Sequence, residues 1–371
     1  MNDKKYMEFA LTIARQVSGQ TSPNPLVGAV IVKDGEIVGF GAHLKASEAH
    51  AEVNALNMAG DKANGATIYV TLEPCSHYGK TAPCADLLIN SGIKRAVIAC
   101  VDPNEKVSGS GIEKLRQAGI QVEVGVLEKE AKNLNKAFFH YIKMKTPYIT
   151  IKSAVSLDGK TATSTGESKW ITCEEARLDV HRYRHEHDAI LVGVNTVIKD
   201  NPSLTTRLPQ GGINPVRIIL DTMLRTPVGA KVITDQEAET WIIVGENVNE
   251  QKKQIFSSKP YVKVIQLQQE QINIDDVLRI LGSKGVMSLW VEGGAEVNAS
   301  FLESRHINQI ITYIAPTLIG GKEAPTSFSG NGFQSMEERL LLEIKNVEKI
   351  GTDIKIISGL REEESGVYGD C

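Results

Sequence analysis

The chain has 371 residues, 42% hydrophobic and 23% charged, the balance of an ordinary globular protein long enough for two domains. Lys and Arg number 41 against 45 Asp and Glu, a net charge of −4, so nothing in the bulk composition calls for a nucleic-acid partner. No apolar run approaches the ~18 residues of a membrane-spanning helix, and the opening MNDKKYMEFALTIARQ lacks a signal-peptide core. The expectation is a cytoplasmic protein with no membrane partner.

The first element in chain order is an amphipathic helix with Met7, Ala10, Leu11, Ala14 and Val17 on one face. LVGAVIVKDGEIVGFGA follows, two strand-like runs around Asp34-Gly35, a strong hairpin signal. A helical segment, EAHAEVNALNMAG, closes at Gly60. Strand ATIYVTL, helix ADLLINSG, strand RAVIACV, helix IEKLRQAG and strand IQVEVGV complete residues 1–145 as an alternating α/β domain. Residues 143–146 read as a linker before Pro147.

A second alternation fills residues 147–360: strand YITIKSAVS, helix CEEARLDVHRYRHE, strands AILVG, VRIILD, TWIIVG and SLWVEGG, helix AEVNASFLES and strand QIITYIAP. It is a second α/β domain. Residues 361–371 read as a frayed polar tail. His181, His185 and His187 fall in a charged helix and read as surface residues, not metal ligands.

The five cysteines, Cys75, Cys84, Cys100, Cys173 and Cys371, are too few and too irregular for a disulfide framework. Cys100 lies in an apolar run and reads as a core residue. Cys75 and Cys84 frame EPCSHYGKTAPC, and His50 lies upstream in HAE. One imidazole and two thiolates leave a zinc site formally neutral, and three protein ligands leave a fourth position open, the catalytic arrangement. Glu52 is the candidate proton carrier. Positions i and i+2 of a helix diverge by about 200°. His50 and Glu52 therefore share a site only across a helix end, which predicts a helix starting near residues 50–51. Cys84 likewise opens a helical run, where the N-terminus favours a thiolate. His77 is an alternative to His50 as ligand. A Cys75–Cys84 redox pair is the other reading, although nothing nearby matches Cys-x-x-Cys.

HAE and TLEPCSHYGKTAPC together resemble the cytidine-deaminase-like zinc deaminases. The long Cys spacing, with SPNPLVGAVIV, GAHLKASEAHAE and VDPN, is similar to the deaminase half of the bifunctional riboflavin-biosynthesis deaminase/reductases. IKSAVSLDGK, GESKWIT, VGVNTVIKDNPSLTTR and WVEGGAEVNASF resemble the dihydrofolate-reductase-like reductase half. The resemblance implies a cytidine-deaminase-like α/β/α layered domain followed by a dihydrofolate-reductase-like α/β domain. It implies zinc-dependent deamination of a pyrimidine carrying a ribosylamino 5-phosphate, then NADPH-dependent reduction of the ribosyl group to ribityl.

By the same resemblance Asn24, His43, His77 and Lys80 bind the deaminase substrate. Lys152, Trp170, Thr172, Thr196, Asp200, Gly293 and Gly294 belong near NADPH, and Ser168, Arg184, Arg207 and Glu292 near the sugar phosphate. The chemical types suit these tasks: guanidinium groups take phosphate bidentately, and Gly293-Gly294 before a helix lets backbone N–H groups approach an anion. No Gly-x-Gly-x-x-Gly stands at a strand-to-helix junction, SGSGIEKLRQAG being the nearest approach, so a Rossmann site is not expected. The expected ligands are small molecules and the expected assembly a homo-oligomer. The competing readings are a deaminase of another nucleotide or of single-stranded nucleic acid with an accessory domain, and a structural zinc fold with a nucleotide-sensing half.

Overall fold

A computed structural model describes residues 3–78, 82–104 and 107–361. The chain divides into two compact units, Met1–Thr146 and Pro147–Cys371.

In the first unit the elements run α1 (Asp3–Arg15), β1 (Gly28–Lys33), β2 (Glu36–Ala42), α2 (Ala51–Ala59), β3 (Thr67–Val70), α3 (Cys84–Asn90), β4 (Arg95–Ile98), α4 (Ser110–Gln117), β5 (Gln121–Val124), α5 (Glu128–Leu134) and α6 (Lys136–Met144). The sheet order is β2-β1-β3-β4-β5. β1 is antiparallel to β2 and β3, whereas β3, β4 and β5 are parallel. Asp34 and Gly35 both take positive φ, the backbone of the tight turn that matches strand twist. Side chains alternate across the sheet. Ala29 and Ile31 join a core with Ala55, Leu88 and Leu115 on one face, while Val30 and Val32 meet Met7, Ala10 and Leu11 on the other. Two buried faces make a helix–sheet–helix sandwich.

Helices α5 and α6 are additions to the elements expected from the sequence. They are seven and nine residues long, too short to be stable alone, and a tertiary contact supports their junction. Buried Asn135 accepts from the Leu26 N–H and donates to the Leu26 carbonyl, both at 2.8 Å. The segment 143–146, expected as a linker, is in part the last turn of α6, with Lys145 left-handed at its end.

The second unit runs β6 (Tyr148–Ser156), α7 (Glu174–Glu186), β7 (Ala189–Gly193), α8 (Val194–Asp200), β8 (Val216–Leu220), α9 (Lys231–Thr234), β9 (Thr240–Val244), α10 (Glu250–Ser257), β10 (Val262–Gln266), α11 (Ile274–Ser283), β11 (Ser288–Val291), α12 (Ala295–Glu303), β12 (Gln309–Ala315), β13 (Leu342–Ile350) and β14 (Asp353–Leu360). These strands form one sheet in the order β10-β9-β8-β7-β11-β6-β12-β14-β13. Pairing is parallel from β10 to β12 and antiparallel at the β14 and β13 edge. Ile190, Val192, Ile242 and Trp290 pack on one face with Val180 and Phe256. Leu191, Ile218, Ile243 and Val291 pack on the other with Leu278, Leu281 and Phe301.

The late strand β11 inserts between β7 and β6. The C-terminal ends of these parallel strands lead into α8 and α12, the crevice where open α/β sheets place ligands. Among the described residues, no helix is long and apolar enough to cross a membrane.

Candidate active sites

His50 caps α2 in extended conformation, with φ −70° and ψ 163°, and Glu52 lies in the first turn. This is the helix start that the i, i+2 spacing requires. The Cys84 sulfur lies 3.3 Å and the Cys75 sulfur 3.7 Å from His50 Nδ1, and all three donor atoms fall within 4.8 Å of one another. A tetrahedral zinc with Zn–S of about 2.3 Å and Zn–N of about 2.0–2.1 Å needs donor separations of this size, so the set fits the metal. His77, the alternative ligand, is exposed and outside this cluster.

Glu52 is 3% exposed. Burial pushes its carboxyl up to about 7, opposed by hydrogen bonds from its own backbone and from Cys84 and by the nearby His50. The two thiols interact directly. Hydrogen bonding from Cys84 holds Cys75 well below the ordinary thiol range, and burial opposes it. The helix-start effect expected for Cys84 goes to the other sulfur: the Cys84 N–H, at the start of α3, donates to Cys75 Sγ at 3.3 Å.

Asn24 and His43 act as a pair. Asn24 Nδ2 lies 2.9 Å from His43 Nε2, and His43 Nδ1 lies 3.1 Å from the Ala49 carbonyl. His43 is 3% exposed, and burial lowers its basicity. A neutral ring donating from Nδ1 and accepting at Nε2 satisfies both contacts. His43 thus orients the Asn24 amide, and its own ring nitrogens are both engaged. Lys80 lies outside the described residues. Sequence reasoning missed Glu73, whose carboxylate is buried beside the Cys75 loop.

In the second unit Glu292 follows β11 and pairs bidentately with Arg184 of α7, Nε–Oε1 at 2.7 Å and Nη2–Oε2 at 2.9 Å. The side chains are 11% and 14% exposed for Arg184 and Glu292. Burial alone would raise the Glu292 carboxyl, but Arg184, Lys152 and the Trp290 N–H overcome it and hold the group down at about 2. Trp290 Nε1 donates to Glu292 Oε1 at 2.8 Å. The indole is fixed in turn by stacking on Tyr183, centroids 4.9 Å apart.

Arg184 Nη1 donates to the Thr205 carbonyl at 3.0 Å, and Arg207 Nη1 to the Thr205 hydroxyl at 3.2 Å. Burial depresses Lys152, Arg207 and His181, and repulsion from Arg184 adds to it in all three. Lys152, Arg184 and Arg207 thus set three cationic side chains around one carboxylate, an arrangement suited to an anion.

The three histidines expected on the surface are instead half-buried. His181 Nδ1 accepts from the Arg207 N–H at 3.3 Å and His185 Nδ1 from the Ile213 N–H at 3.0 Å. His187 Nε2 lies 3.2 Å from Thr150 Oγ1. The charged neighbours in the sequence masked this inward face, which ties α7 to the segment before β8.

The cofactor candidates divide. Thr196, Gly293 and Gly294 gather at the starts of α8 and α12, bridged by Asn195 Nδ2 to Glu296 Oε2 at 3.3 Å. Gly294 has open space where a side chain would stand, whereas a Cβ at Gly293 would lie 2.5 Å from Val297. Buried Asn298 Oδ1 has no partner. An open glycine and an unsatisfied acceptor at a helix start fit a nucleotide cofactor. Asp200 is exposed at the end of α8. Ser168 and Trp170 are exposed between β6 and α7, where Arg177 lies 4.8 Å over the Trp170 ring and donates to the Thr172 carbonyl. The hydrogen bonds and ring contacts of the described residues do not join them to the Arg184–Glu292 centre.

Residues 1–100 match the family model described as the cytidine and deoxycytidylate deaminase zinc-binding region, and residues 147–356 match the RibD C-terminal domain. A riboflavin biosynthesis protein RibD from Bacillus amyloliquefaciens is 52% identical over 98% of both chains. The solved structure of Acinetobacter baumannii RibD is 37% identical with a TM-score of 0.86, covering 97% of this chain and 99% of that one. A Thermotoga maritima diaminohydroxyphosphoribosylaminopyrimidine deaminase/5-amino-6-(5-phosphoribosylamino)uracil reductase gives 37% identity and a TM-score of 0.87 over the same shares. The architecture is therefore a cytidine-deaminase-like domain followed by a reductase domain related to the dihydrofolate-reductase-like fold. The donor sets accord with zinc and a nicotinamide cofactor.

All three tryptophans, Trp170, Trp241 and Trp290, lie in the second unit, so tryptophan fluorescence reports its unfolding. Removing one partner of a buried pair costs about 3–5 kcal/mol, the loss expected for Glu292→Gln in urea titrations at pH 7. The folded Glu292 carboxyl lies below its ordinary value of about 4.3, so its contribution is present above that pH and lost as pH falls toward about 2. The stability difference between wild type and E292Q should shrink across that window. A difference independent of pH would contradict the ionised pair.

Proposed function

The chain belongs to the RibD family of bifunctional deaminase/reductases of riboflavin biosynthesis, and from that premise we propose which residues perform each of its two reactions. The first substrate is 2,5-diamino-6-(5-phosphoribosylamino)pyrimidin-4(3H)-one. Water replaces its 2-amino group, releasing ammonia and 5-amino-6-(5-phosphoribosylamino)uracil. The observation that carries the assignment is the convergence of His50, Cys75 and Cys84 beside the buried carboxyl of Glu52.

His50, Cys75 and Cys84 hold the zinc ion. Zinc supplies Lewis acidity that makes a water nucleophile available at neutral pH. Glu52 takes one proton from the attacking water and gives it to the ring nitrogen, then carries the remaining hydroxyl proton to the departing amine. Its desolvated position suits a group that must both accept and donate near neutrality. Asn24, held by His43, addresses the ring edge. His77 and Lys80 take the phosphorylated sugar.

In the second reaction NADPH supplies the hydride that reduces C1 of the ribosylamino group to ribityl. Gly293, Gly294, Thr196, Asp200, Lys152, Trp170 and Thr172 bind and orient the cofactor. Ser168, Arg184, Arg207 and Glu292 hold the sugar phosphate. Arg184 is committed to Glu292 on its Nε and Nη2 side, so it sets the carboxylate for the sugar hydroxyls and leaves Arg207, more exposed, to meet phosphate directly. Cys100 and Cys173 are free thiols, which supports a reducing, cytoplasmic setting.

Two copies associate through β13 in this proposal. Among the described residues it is an edge strand, and its Ile344 and Val347 side chains are exposed.

Incubating the protein anaerobically with the diaminopyrimidine ribosyl phosphate tests the order of reactions. Ammonia should appear without NADPH, and NADPH oxidation should follow only after deamination. Glu52→Gln should cut ammonia release by at least about 10²-fold while leaving reduction of the deaminated compound unchanged. Wild-type ammonia release by E52Q would overturn the proton-carrier role. Light scattering after chromatography should show an oligomer that Ile344→Lys with Val347→Lys reduces to monomer. An unchanged mass would place the interface elsewhere.

A further inference from the structure

Glu73 stands two residues before Cys75 and is 4% exposed, an unusual location for a carboxylate unless its oxygens are fully engaged. Its Oε1 accepts from the Gly111 N–H at 2.9 Å and the Ile112 N–H at 3.3 Å. Its Oε2 accepts from the Gly109 N–H at 2.9 Å and the Asp102 N–H at 3.2 Å. Three of these donors belong to the start of α4, where N–H groups have no partner within the helix and the dipole favours negative charge. Glu73 therefore caps a helix that begins far downstream, and the bonds tie its own backbone to that helix.

The tie is close. A Cβ on Gly111 would lie 2.0 Å from the Pro74 carbonyl oxygen, so α4 presses directly on the residue between Glu73 and Cys75. From the other side the Ala85 N–H donates to the Cys75 carbonyl at 3.1 Å and the Cys84 N–H to Cys75 Sγ at 3.3 Å. Cys75 is thus set between α3 and α4. The first hold involves the other sulfur ligand, and the second passes through Glu73.

We propose that Glu73 is a positioning residue of the zinc centre: by capping α4 it fixes the Cys75 sulfur at the separation from His50 and Cys84 that the metal needs. The inference rests on the reading of these three residues as ligands. Partners that orient a metal ligand typically affect metal affinity by about 10–100-fold when removed. Glu73→Gln replaces one acceptor oxygen with an amide that faces N–H donors. Gly111→Ala keeps the carboxylate but drives the same backbone apart, its Cβ falling 2.0 Å from the Pro74 carbonyl oxygen and 3.2 Å from Glu73 Oε1. Leu115→Ala removes a fully buried side chain one turn further along α4 that makes neither contact and controls for destabilisation alone.

The test is the rate at which full-length, zinc-loaded protein releases zinc to excess 4-(2-pyridylazo)resorcinol, with thermal midpoints measured in parallel. E73Q and G111A should each release zinc at least about tenfold faster than wild type. Leu115→Ala should keep the wild-type rate despite a lower midpoint. The cobalt(II)-loaded E73Q protein should also show a shifted thiolate-to-metal absorption. A wild-type release rate in E73Q, or equal acceleration in Leu115→Ala, overturns the positioning role. Cys75→Ser separates the two failures: if it retains full zinc, the ligand reading itself is wrong, and the positioning role falls with it.

Discussion

Two residues separated by one in a helix point away from each other, by about 200°. His50 and Glu52 can serve one centre only where a helix begins, and that constraint organises the deaminase unit. It fixes the start of α2 at Ala51, with His50 extended ahead of it. It requires the sulfur donors to approach across the end of α2. They do so from the loop after β3 and from the start of α3. The sheet supplies the platform for this meeting, because β1 and β3 bury both faces under helices.

The reductase unit obeys a different constraint, the cost of burying charge. Glu292 lies in the interior beside Arg184 and near Lys152. A buried carboxylate is tolerable only when paired and fully hydrogen-bonded, and Arg184 together with the Trp290 indole supplies that. Lys152 and Arg207 add further positive charge around the pair. In the proposed function this site takes a phosphorylated sugar and presents a carboxylate to its hydroxyls, which needs both signs within a few ångströms. The bidentate pair keeps them from neutralising the whole site.

Much of the architecture was legible in the sequence where strands are buried on both faces. β6 and β7 occupy the residues that the apolar runs YITIKSAVS and AILVG mark out, as expected of strands covered on both sides. β13 was not legible. Its register shifts between Ile344 and Asn346, which breaks the period-two pattern, and nearly all of it is exposed. Short helices such as α8 and α9 owe their form to tertiary contacts rather than to periodicity.

The sites show the same division. His50, Glu52, Cys75 and Cys84 stand out because local motifs carry them. Arg184 and Glu292 could be named singly, but their pairing across 108 positions could not be seen. The partners of Glu73 lie 29 to 39 residues downstream in loop and helix backbone, where side-chain identity leaves little trace.

The central claim is that one imidazole and two thiolates of the first unit hold a catalytic zinc ion. X-ray absorption at the zinc edge measures that ligand set directly. Two sulfur scatterers at about 2.3 Å with nitrogen or oxygen at about 2.0–2.1 Å, and one sulfur fewer in Cys84→Ser, would agree with it. A shell of four sulfurs, or of nitrogen and oxygen alone, would contradict it.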